Sequence, residues 1–256
     1  MAILQMNDSI LHKMEEISIP AEYEKRILAY VDVLGWSEKI LNGPAEALQL
    51  AKVVMSFAMA KKTNEWGRKM RSDDDQTYTT EVTFCSDTFV RSCPADDPTS
   101  AYDLLQKTQS LINILLCNHG MLTRGAIVQG DLVHKDRAIF GPALLDAIAI
   151  EESECYPRVI VDPTLIKILH INGYRDIRRD DDGAYFVEFF IGHQDRPIDT
   201  DPIAPEKRLE KALAQVEKGW ASASEHKIKI KWEWMRRYLN LHKLLQYDKK
   251  SVKLKV

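Results

Sequence analysis

Residues 30–36 read YVDVLGW, and they place the carboxylate Asp32 inside an apolar segment that begins at Ile27 and closes at Gly35. The β-branched and aromatic residues of this segment predict a buried strand. An ionised carboxylate is costly to bury unless it is paired, hydrogen-bonded or bound to a metal ion, and otherwise it takes up a proton. The sequence therefore predicts that Asp32 has a partner elsewhere in the chain.

The composition is that of an ordinary globular protein, with 256 residues, 45% hydrophobic content and a formal net charge of -3. No apolar stretch is long enough for a membrane span, and the N-terminus lacks a signal-peptide pattern. We therefore expect a cytoplasmic protein that does not bind membranes directly. The four cysteines show neither a CxxC pair nor zinc-type spacing, which predicts reduced and mostly buried thiols.

Charge is distributed unevenly along the chain. Residues 204–256 contain 14 Lys and Arg against 6 Asp and Glu, a balance of +8, and the other 21 basic and 32 acidic residues give -11 for residues 1–203. We predict a main domain over residues 1–203 and a basic helical C-terminal extension over 204–256, which packs on the core or on a dimer. The apolar residues expected to anchor this extension are Trp220, Trp232, Trp234, Tyr238, Leu241, Leu244 and Leu245.

The segment KIKIKWEWMRR, residues 227–237, allows a different interpretation of the extension. Basic residues interleaved with aromatic ones could hold phosphates and stack on the bases of a nucleic acid. Packing of the same aromatic residues onto the core is the favoured interpretation, so no direct nucleic-acid binding is expected.

The order of hydrophobic patterns and turn signals predicts a strand, two helices, a hairpin, a helix, a strand, a helix, a strand, a helix and a second hairpin. The two hairpins are predicted to turn at Ser86-Asp87 and at Asp182-Gly183. This order is typical of an α/β fold, an α+β sandwich in which helices flank a mixed or antiparallel sheet.

Asp87 is the strongest candidate for the partner of Asp32. It lies at the tip of the hairpin TFCSDTFV, which the order of elements places beside the Asp32 strand. Two carboxylates form a hard oxygen site, suited to two Mg²⁺ or Mn²⁺ ions held together with substrate phosphates. The alternative is that Asp87 is a turn residue and Asp32 a hydrogen-bonded structural acid.

Four stretches together resemble the class III nucleotidyl cyclases. YVDVLGW and TFCSDTFV are similar to the two metal motifs, TRGAIVQGDLV to the glycine-containing strand that follows, and FGPALLDAIAIEE to the next helix. The resemblance covers residues 26–192 in the order of the family. The GPAL helix start and the helical extension look most like the Pycsar antiphage pyrimidine cyclases.

This resemblance implies that residues 1–203 are a catalytic domain that converts UTP, or alternatively CTP, to a 3′,5′-cyclic monophosphate and pyrophosphate. It implies a homodimer with shared active sites, and a separate effector protein that the cyclic product activates. Uridine is the favoured base. A second hypothesis is a catalytically inactive cyclase fold that binds a nucleotide or a protein partner.

The family motifs assign metal and phosphate roles to individual positions. Asp32 and Asp87 match the two metal-binding acids, and Val33 matches the position whose backbone carbonyl binds the second ion. The turn that cradles the triphosphate in the family matches Leu34, Gly35, Trp36 and Ser37. A packing role for the aromatic ring of Trp36 is an equal alternative.

The chain departs from the purine cyclases at the base-reading positions. Thr83 and Ala138 stand where those enzymes have a lysine and an acid, which favours a pyrimidine substrate. On the helix, Leu145 and Ala149 stand where the family has its transition-state Asn and Arg. Arg137 is a further candidate contact near the base.

Some cation should still meet the charge that develops in phosphoryl transfer. Arg124 is the first candidate, with Arg137 next and with Arg178 or Arg179 on the late hairpin after them. The alternative for Arg124 is an ion pair with a buried acid.

Overall fold

The computed structural model describes residues 22–59, 80–135, 138–171, 177–190 and 205–253. The strands within these ranges are β1 (Glu24–Leu34), β2 (Glu81–Cys85), β3 (Thr88–Pro94), β4 (Leu122–Lys135), β5 (Ala138–Phe140), β6 (Val159–Val161), β7 (Ile177–Arg179) and β8 (Tyr185–Val187). The helices are α1 (Trp36–Asn42), α2 (Pro44–Met59), α3 (Pro98–His119), α4 (Pro142–Ser153), α5 (Pro163–Ile171), α6 (Pro205–Ser222) and α7 (His226–Lys253).

Proline marks the start of most of these helices, where its missing amide costs no hydrogen bond and its fixed φ suits the first turn. The long helix α3 also has a side-chain cap, because Asp97 accepts hydrogen bonds from the amides of Thr99 and Ser100. At its other end Gly120 adopts φ 62°, a left-handed conformation that favours glycine. None of the helices in the described ranges has the length and hydropathy of a membrane span.

The strands form one mixed sheet in the order β2-β3-β1-β4-β6-β8-β7, with β5 paired to β4. Neighbouring strands are antiparallel except for the parallel pair β4 and β6. The predicted α/β fold, with helices flanking a mixed sheet, is confirmed. Both predicted hairpins are present, as β2-β3 and as β7-β8.

The two faces of the sheet are covered differently. Alternate residues of β1, such as Val31 and Val33, enter a large core that also contains side chains of α2, α3, α6 and α7. The opposite face carries a small cluster under α4, which consists of Leu28, Val90, Ala126, Val128, Leu132, Ala143 and Ala147. Because Asp32 alternates with Val31 and Val33, its side chain lies on the face with the smaller cluster.

Aromatic side chains of α7 fasten the C-terminal extension to the sheet. Trp234 and Tyr238 are buried, stack on each other with ring centroids 5.5 Å apart, and meet the ring of Phe186 edge to face. Trp220 was predicted as an anchor, and this is wrong: it is 38% exposed, with the cations of Lys229 and Arg236 over its ring. The side chains of residues 244 and 245 lie outside the described ones.

Charge complementarity fixes the same helix to the β7-β8 hairpin. Trp234 Nε1 donates to a carboxylate oxygen of Asp180 at 2.8 Å, and Arg237 lies 3.6 Å from both Asp180 and Asp181. From the other side, buried Arg158 pairs with Asp180 and Asp182. The basic extension thus neutralises part of the acidic main domain.

The prediction for the cysteines is half wrong. All four are free thiols, but only Cys93 and Cys117 are buried, whereas Cys85 and Cys155 are exposed. Cys85 is the last residue of β2, and Cys155 follows the end of α4 by two residues. Hydrophobicity alone does not show that a cysteine stands at the end of an element.

Candidate active site

Strand β1 and the β2-β3 hairpin bring Asp32 and Asp87 together. Asp32 pairs in register with Thr88, the residue after Asp87, and the amide of Val33 donates to the carbonyl oxygen of Asp87 at 2.9 Å. The two carboxylates therefore lie at one end of the central strands. Val33 turns its buried side chain into the large core, so only its backbone is available on the acidic side.

The turn that carries Asp87 contains a backbone conformation that is unfavourable for its residue. Ser86 has φ 56°, and among the described residues it is the single non-glycine residue with positive φ. A side chain in the left-handed region costs on the order of 1 kcal/mol. The sheet pairing on both sides of the two-residue loop holds Ser86 in this conformation and so fixes the direction of Asp87.

Asp32 lies in a site with excess negative charge. Burial, followed by repulsion from Glu151 and Asp87, raises the pKa of Asp32 to about 6. Arg124 and Lys231 oppose this rise without cancelling it. At neutral pH the carboxylate is therefore ionised but poorly neutralised by the protein.

Arg124 lies directly across from Asp32, on the neighbouring strand β4. Its guanidinium is paired with the buried carboxylate of Glu151 on α4 and donates to the carbonyl oxygen of Glu154 at 2.8 Å. The ion pair with a buried acid, the alternative considered for Arg124, is thus part of the structure. The side chain of Arg124 is 21% exposed.

Two charged residues of the site were missed in the sequence. Glu151 is within the stretch that resembles the family helix, yet nothing in its spacing indicates Arg124 as its partner. Lys231 comes from α7, and it interacts electrostatically with Asp32, Arg124 and Glu151. The pKa of Lys231 is lowered overall, because burial and the neighbouring Arg124 outweigh the opposing effect of the Asp32 carboxylate.

The predicted phosphate turn connects β1 to α1. Gly35 adopts φ 83°, which glycine tolerates, and Ser37 is exposed at the start of the helix. Trp36 is only 5% exposed and meets the ring of Phe84 edge to face at 5.8 Å, so the packing role considered for it is present. Leu34 packs against the large core at the end of β1.

Thr83 and Ala138, the positions predicted to read the base, both meet the C-terminal end of β4. Oγ1 of Thr83 lies 2.9 Å from Nε2 of His134, and the next residue along, Lys135, pairs with Ala138 in the β4-β5 hairpin. Thr83 and Tyr30 pair with the same residue of β3, and residues paired across strands lie on one face of a sheet. Tyr30 is two residues before Asp32, so Thr83 lies on the same face as Asp32. Arg137 lies outside the described residues.

The other predicted positions are not gathered at the two acids. Leu145 is 68% exposed on α4, and Ala149, one turn later, is exposed as well. Arg178 and Arg179 lie on the edge strand β7, separated from β1 by β8, β6 and β4. Arg178 is 3.7 Å from buried Glu188, and Nε of Arg179 donates to a carbonyl oxygen of its own hairpin.

Carboxylates and backbone carbonyls are the ligands that the site offers to a cation. In the described part of the chain, no three residues of the types His, Cys, Asp and Glu are grouped closely enough to hold a metal ion by themselves. Two carboxylates with the cations Arg124 and Lys231 beside Asp32 suit a phosphorylated substrate that shares a divalent ion with the protein.

Several solved structures whose fold resembles that of this chain are named as cyclases. The adenylyl cyclase CyaB from P. aeruginosa has a TM-score of 0.47 at 13% identity, over 65% of this chain and 94% of that one. A bacterial light-regulated adenylyl cyclase has a TM-score of 0.44 at 14% identity, over 66% and 92%. The catalytic core of a rhodopsin-guanylyl cyclase with converted specificity has a TM-score of 0.43 at 14% identity, over 65% and 96%.

These likenesses are distant, and neither a protein-family model nor a curated protein matches the chain. The functional assignment therefore depends on the residues of the chain itself.

Proposed function

We propose that this protein is a pyrimidine nucleotide cyclase, which converts UTP to 3′,5′-cyclic UMP and pyrophosphate. The observation that carries the proposal is the meeting of Asp32 and Asp87 at one end of the central strands, beside Arg124. A carboxylate in such a position, poorly neutralised by its own protein, is costly for stability and is expected where it serves chemistry.

Two Mg²⁺ or Mn²⁺ ions are the proposed cofactors. The donor set fits such hard cations, because Asp32 and Asp87 supply carboxylate oxygens and Val33 supplies a backbone carbonyl. The pKa of Asp32, near 6, indicates a carboxylate that would gain from a cation. When bound, the ions would lower the pKa of the attacking 3′-hydroxyl and neutralise charge on the leaving pyrophosphate.

The side chains of the protein position the substrate and stabilise charge on its phosphates. Arg124 and Lys231 are cations whose charges lower the pKa of Asp32. We propose that they contact the phosphates, with the turn from Leu34 to Ser37 as a further contact. Glu151 holds Arg124 in place, so Arg124 needs little reorganisation when the substrate binds.

The choice of a pyrimidine follows from Thr83 and Ala138. A hydroxyl and a methyl group offer no charged donor and no carboxylate acceptor, so they cannot replace the pair that reads a purine. UTP is the proposed substrate and CTP the alternative. By the Pycsar resemblance, we propose that the cyclic product activates a separate effector protein in antiphage defence.

A second copy of the chain is the proposed partner that completes each site. Large apolar side chains are exposed on α4 and β5: Leu145 on α4, and Phe140 on β5 with Tyr23 against it. Leu145→Glu should dissociate the dimer and abolish turnover, whereas Leu48→Glu, a matched change at an exposed leucine of α2, should not. Light scattering measures the first effect; a dimer that survives Leu145→Glu would contradict this interface.

The decisive experiment incubates the full chain separately with ATP, GTP, CTP and UTP in the presence of Mn²⁺, and resolves the products by chromatography. We expect cyclic UMP as the main product, with pyrimidines preferred over purines at least about tenfold in kcat/KM. Asp32→Asn and Asp87→Asn should abolish it, and Asp96→Asn, a change at an exposed acid of the β3-α3 loop, should leave it intact. Equal cyclisation of ATP or GTP would refute the proposed substrate.

The second candidate function is a catalytically inactive cyclase fold that binds a nucleotide. It is favoured by Leu145 and Ala149, which present no polar group where the related family carries its transition-state residues. Metal-dependent binding of UTP without any cyclic product would support this candidate. Retention of both Asp32 and Asp87 favours the enzyme.

A further inference from the structure

Helix α7 brings one lysine, Lys231, to the charged cluster of the candidate site. Lys231 lies three residues before Trp234, so the two side chains are neighbours on one side of the helix. Trp234 stacks on Tyr156 with ring centroids 6.2 Å apart. The amide of Tyr156 donates to the carboxylate of Glu154, whose carbonyl oxygen accepts from Arg124 at 2.8 Å. The docking of α7 thus places Lys231 beside Arg124.

The charge of Lys231 acts on the acids of this cluster without a direct contact. Its ammonium is attracted by the carboxylates of Asp32 and Glu151 and repelled by Arg124. Within the part of the chain that the structure describes, Lys231 forms no hydrogen bond or ion pair at contact distance. The side chain is half-buried, so water and salt screen its charge less than that of a fully solvated lysine.

Arg124, the second cation that acts on Asp32, is already engaged. Its guanidinium is paired with the carboxylate of Glu151 and donates to the carbonyl oxygen of Glu154. Its positive charge is therefore shared with another acid. Of the two cations, Lys231 is the one whose charge is not taken up by an ion pair among the described residues.

We infer that Lys231 is the counter-ion of Asp32 in the metal-free protein, and that it competes with a divalent cation for this carboxylate. The inference rests on the proposed function, which places Mg²⁺ or Mn²⁺ at Asp32 and Asp87. Three acids and two cations interact around Asp32, which leaves the cluster with one net negative charge. A divalent ion brings that cluster to a charge of +1, whereas without Lys231 it would bring it to zero. Lys231 therefore weakens the binding of the ion by itself.

This competition favours binding of the ion together with the nucleotide. The triphosphate supplies the negative charge that Lys231 gives up when an ion occupies Asp32. Through one side chain, the C-terminal extension thus opposes capture of a metal ion by a site that holds no substrate.

The test measures the binding of Mn²⁺ alone to the full chain, from the electron paramagnetic resonance signal of the free ion. Lys231→Met removes the charge and keeps an unbranched side chain, and we expect the dissociation constant of the Asp32-dependent site to fall about fivefold. Lys231→Gln also lacks the charge and should show the same gain. Lys231→Arg keeps the charge and should stay within about twofold of the wild type.

The matched control is Lys229→Met, which removes a charge from the same helix. The Lys229 ammonium lies over the ring of Trp220, 5.7 Å from its centroid, and is not among the groups that act on Asp32. Its loss should change the Mn²⁺ affinity by less than about twofold. Urea unfolding of each variant verifies that the protein measured is folded.

A second comparison identifies the carboxylate involved. The gain from Lys231→Met should vanish in an Asp32→Asn background, because the two residues then no longer form an interacting pair. An affinity that is unchanged or weaker in both uncharged variants of Lys231, or a gain that persists without Asp32, overturns the inference.

Failure of the proposed function gives a different result. Mn²⁺ binding that is the same with and without Asp32, in the wild type and in Lys231→Met, overturns the metal site and with it the inference. A protein that binds Mn²⁺ through Asp32 and cyclises no nucleotide overturns the proposed enzyme, while the fivefold gain in Lys231→Met would still support the role of Lys231.

Discussion

Replacement of Asp32 by asparagine should stabilise the metal-free protein while it abolishes the proposed activity. Burial, with repulsion from Glu151 and Asp87, raises the pKa of Asp32 to about 6, against an ordinary value of 3.8. The unfolded chain ionises this carboxyl more easily than the folded one does. At neutral pH, ionised Asp32 therefore opposes folding.

The magnitude follows from the two pKa values. A gap of roughly two pH units corresponds to about 3 kcal/mol as an upper limit. The side chain of Asp32 is only half-buried, and screening by water reduces the expected effect to about 1 to 2 kcal/mol. Below about pH 3.8 the carboxyl is protonated in both states and contributes no difference; the penalty grows as the pH rises from there and is fully present above about pH 6.

The assay is urea unfolding in buffer with EDTA, from about pH 4 to about pH 8, for the wild type, Asp32→Asn and the exposed control Asp96→Asn. We expect the free energy of unfolding of Asp32→Asn to be higher than that of the wild type by about 1 to 2 kcal/mol at pH 8, and by a few tenths of a kcal/mol near pH 4. Asp96→Asn should follow the wild type throughout. An advantage of equal size at both ends of the pH range, or a loss of stability at pH 8, would refute the reasoning.

Three further predictions concern residues that support the site. Glu188→Gln should lower the free energy of unfolding at neutral pH by about 2 to 4 kcal/mol, because the buried carboxylate accepts from the Tyr238 hydroxyl of α7. Burial opposes ionisation, yet hydrogen bonds to neighbouring side chains lower the pKa of Glu188 below 4.5. Its stabilisation is thus present above about pH 4.5 and lost as the pH falls through the lowered value, so urea unfolding of the two proteins should converge in acid. Gly219→Ala should lower the free energy of unfolding by about 1 to 3 kcal/mol, and with it the melting temperature, because the new methyl group would overlap the ring of Trp232. A higher melting temperature, as helix propensity alone predicts, would contradict this packing. Lys231→Ala should raise the KM for UTP about fivefold through loss of a cation beside the acids, and an unchanged KM in steady-state assays would exclude it from the phosphate site.

Local patterns in the sequence were enough to predict the main elements of the site. The apolar run around Asp32 and the turn at Ser86-Asp87 predict a strand and a hairpin, because alternation and turn residues act over a few positions. The order of elements then predicts the α/β fold, and pairing of the hairpin with β1 brings Asp87 to Asp32. Helix starts at proline were equally predictable, since the first turn has unpaired amides in any context.

The partners of the charged and polar side chains could not be predicted in this way. Arg124 meets Glu151 only because α4 lies across the sheet, and Thr83 meets His134, 51 positions away, only because the β4-β5 hairpin reaches the β2 strand. Hydrophobic periodicity indicates which face of an element is apolar, but several charged residues share each polar face.

The C-terminal extension shows the same division. Its sequence predicts amphipathic helices and an excess of positive charge, and both are properties that a helix has by itself. Only the docking of α7 decides that Trp234 is buried, that Trp220 remains partly exposed, and that Lys231 approaches Asp32. Those outcomes depend on how α7 is rotated and placed against the sheet. That position is set by packing against residues far away in the chain, so the local sequence cannot encode it on its own.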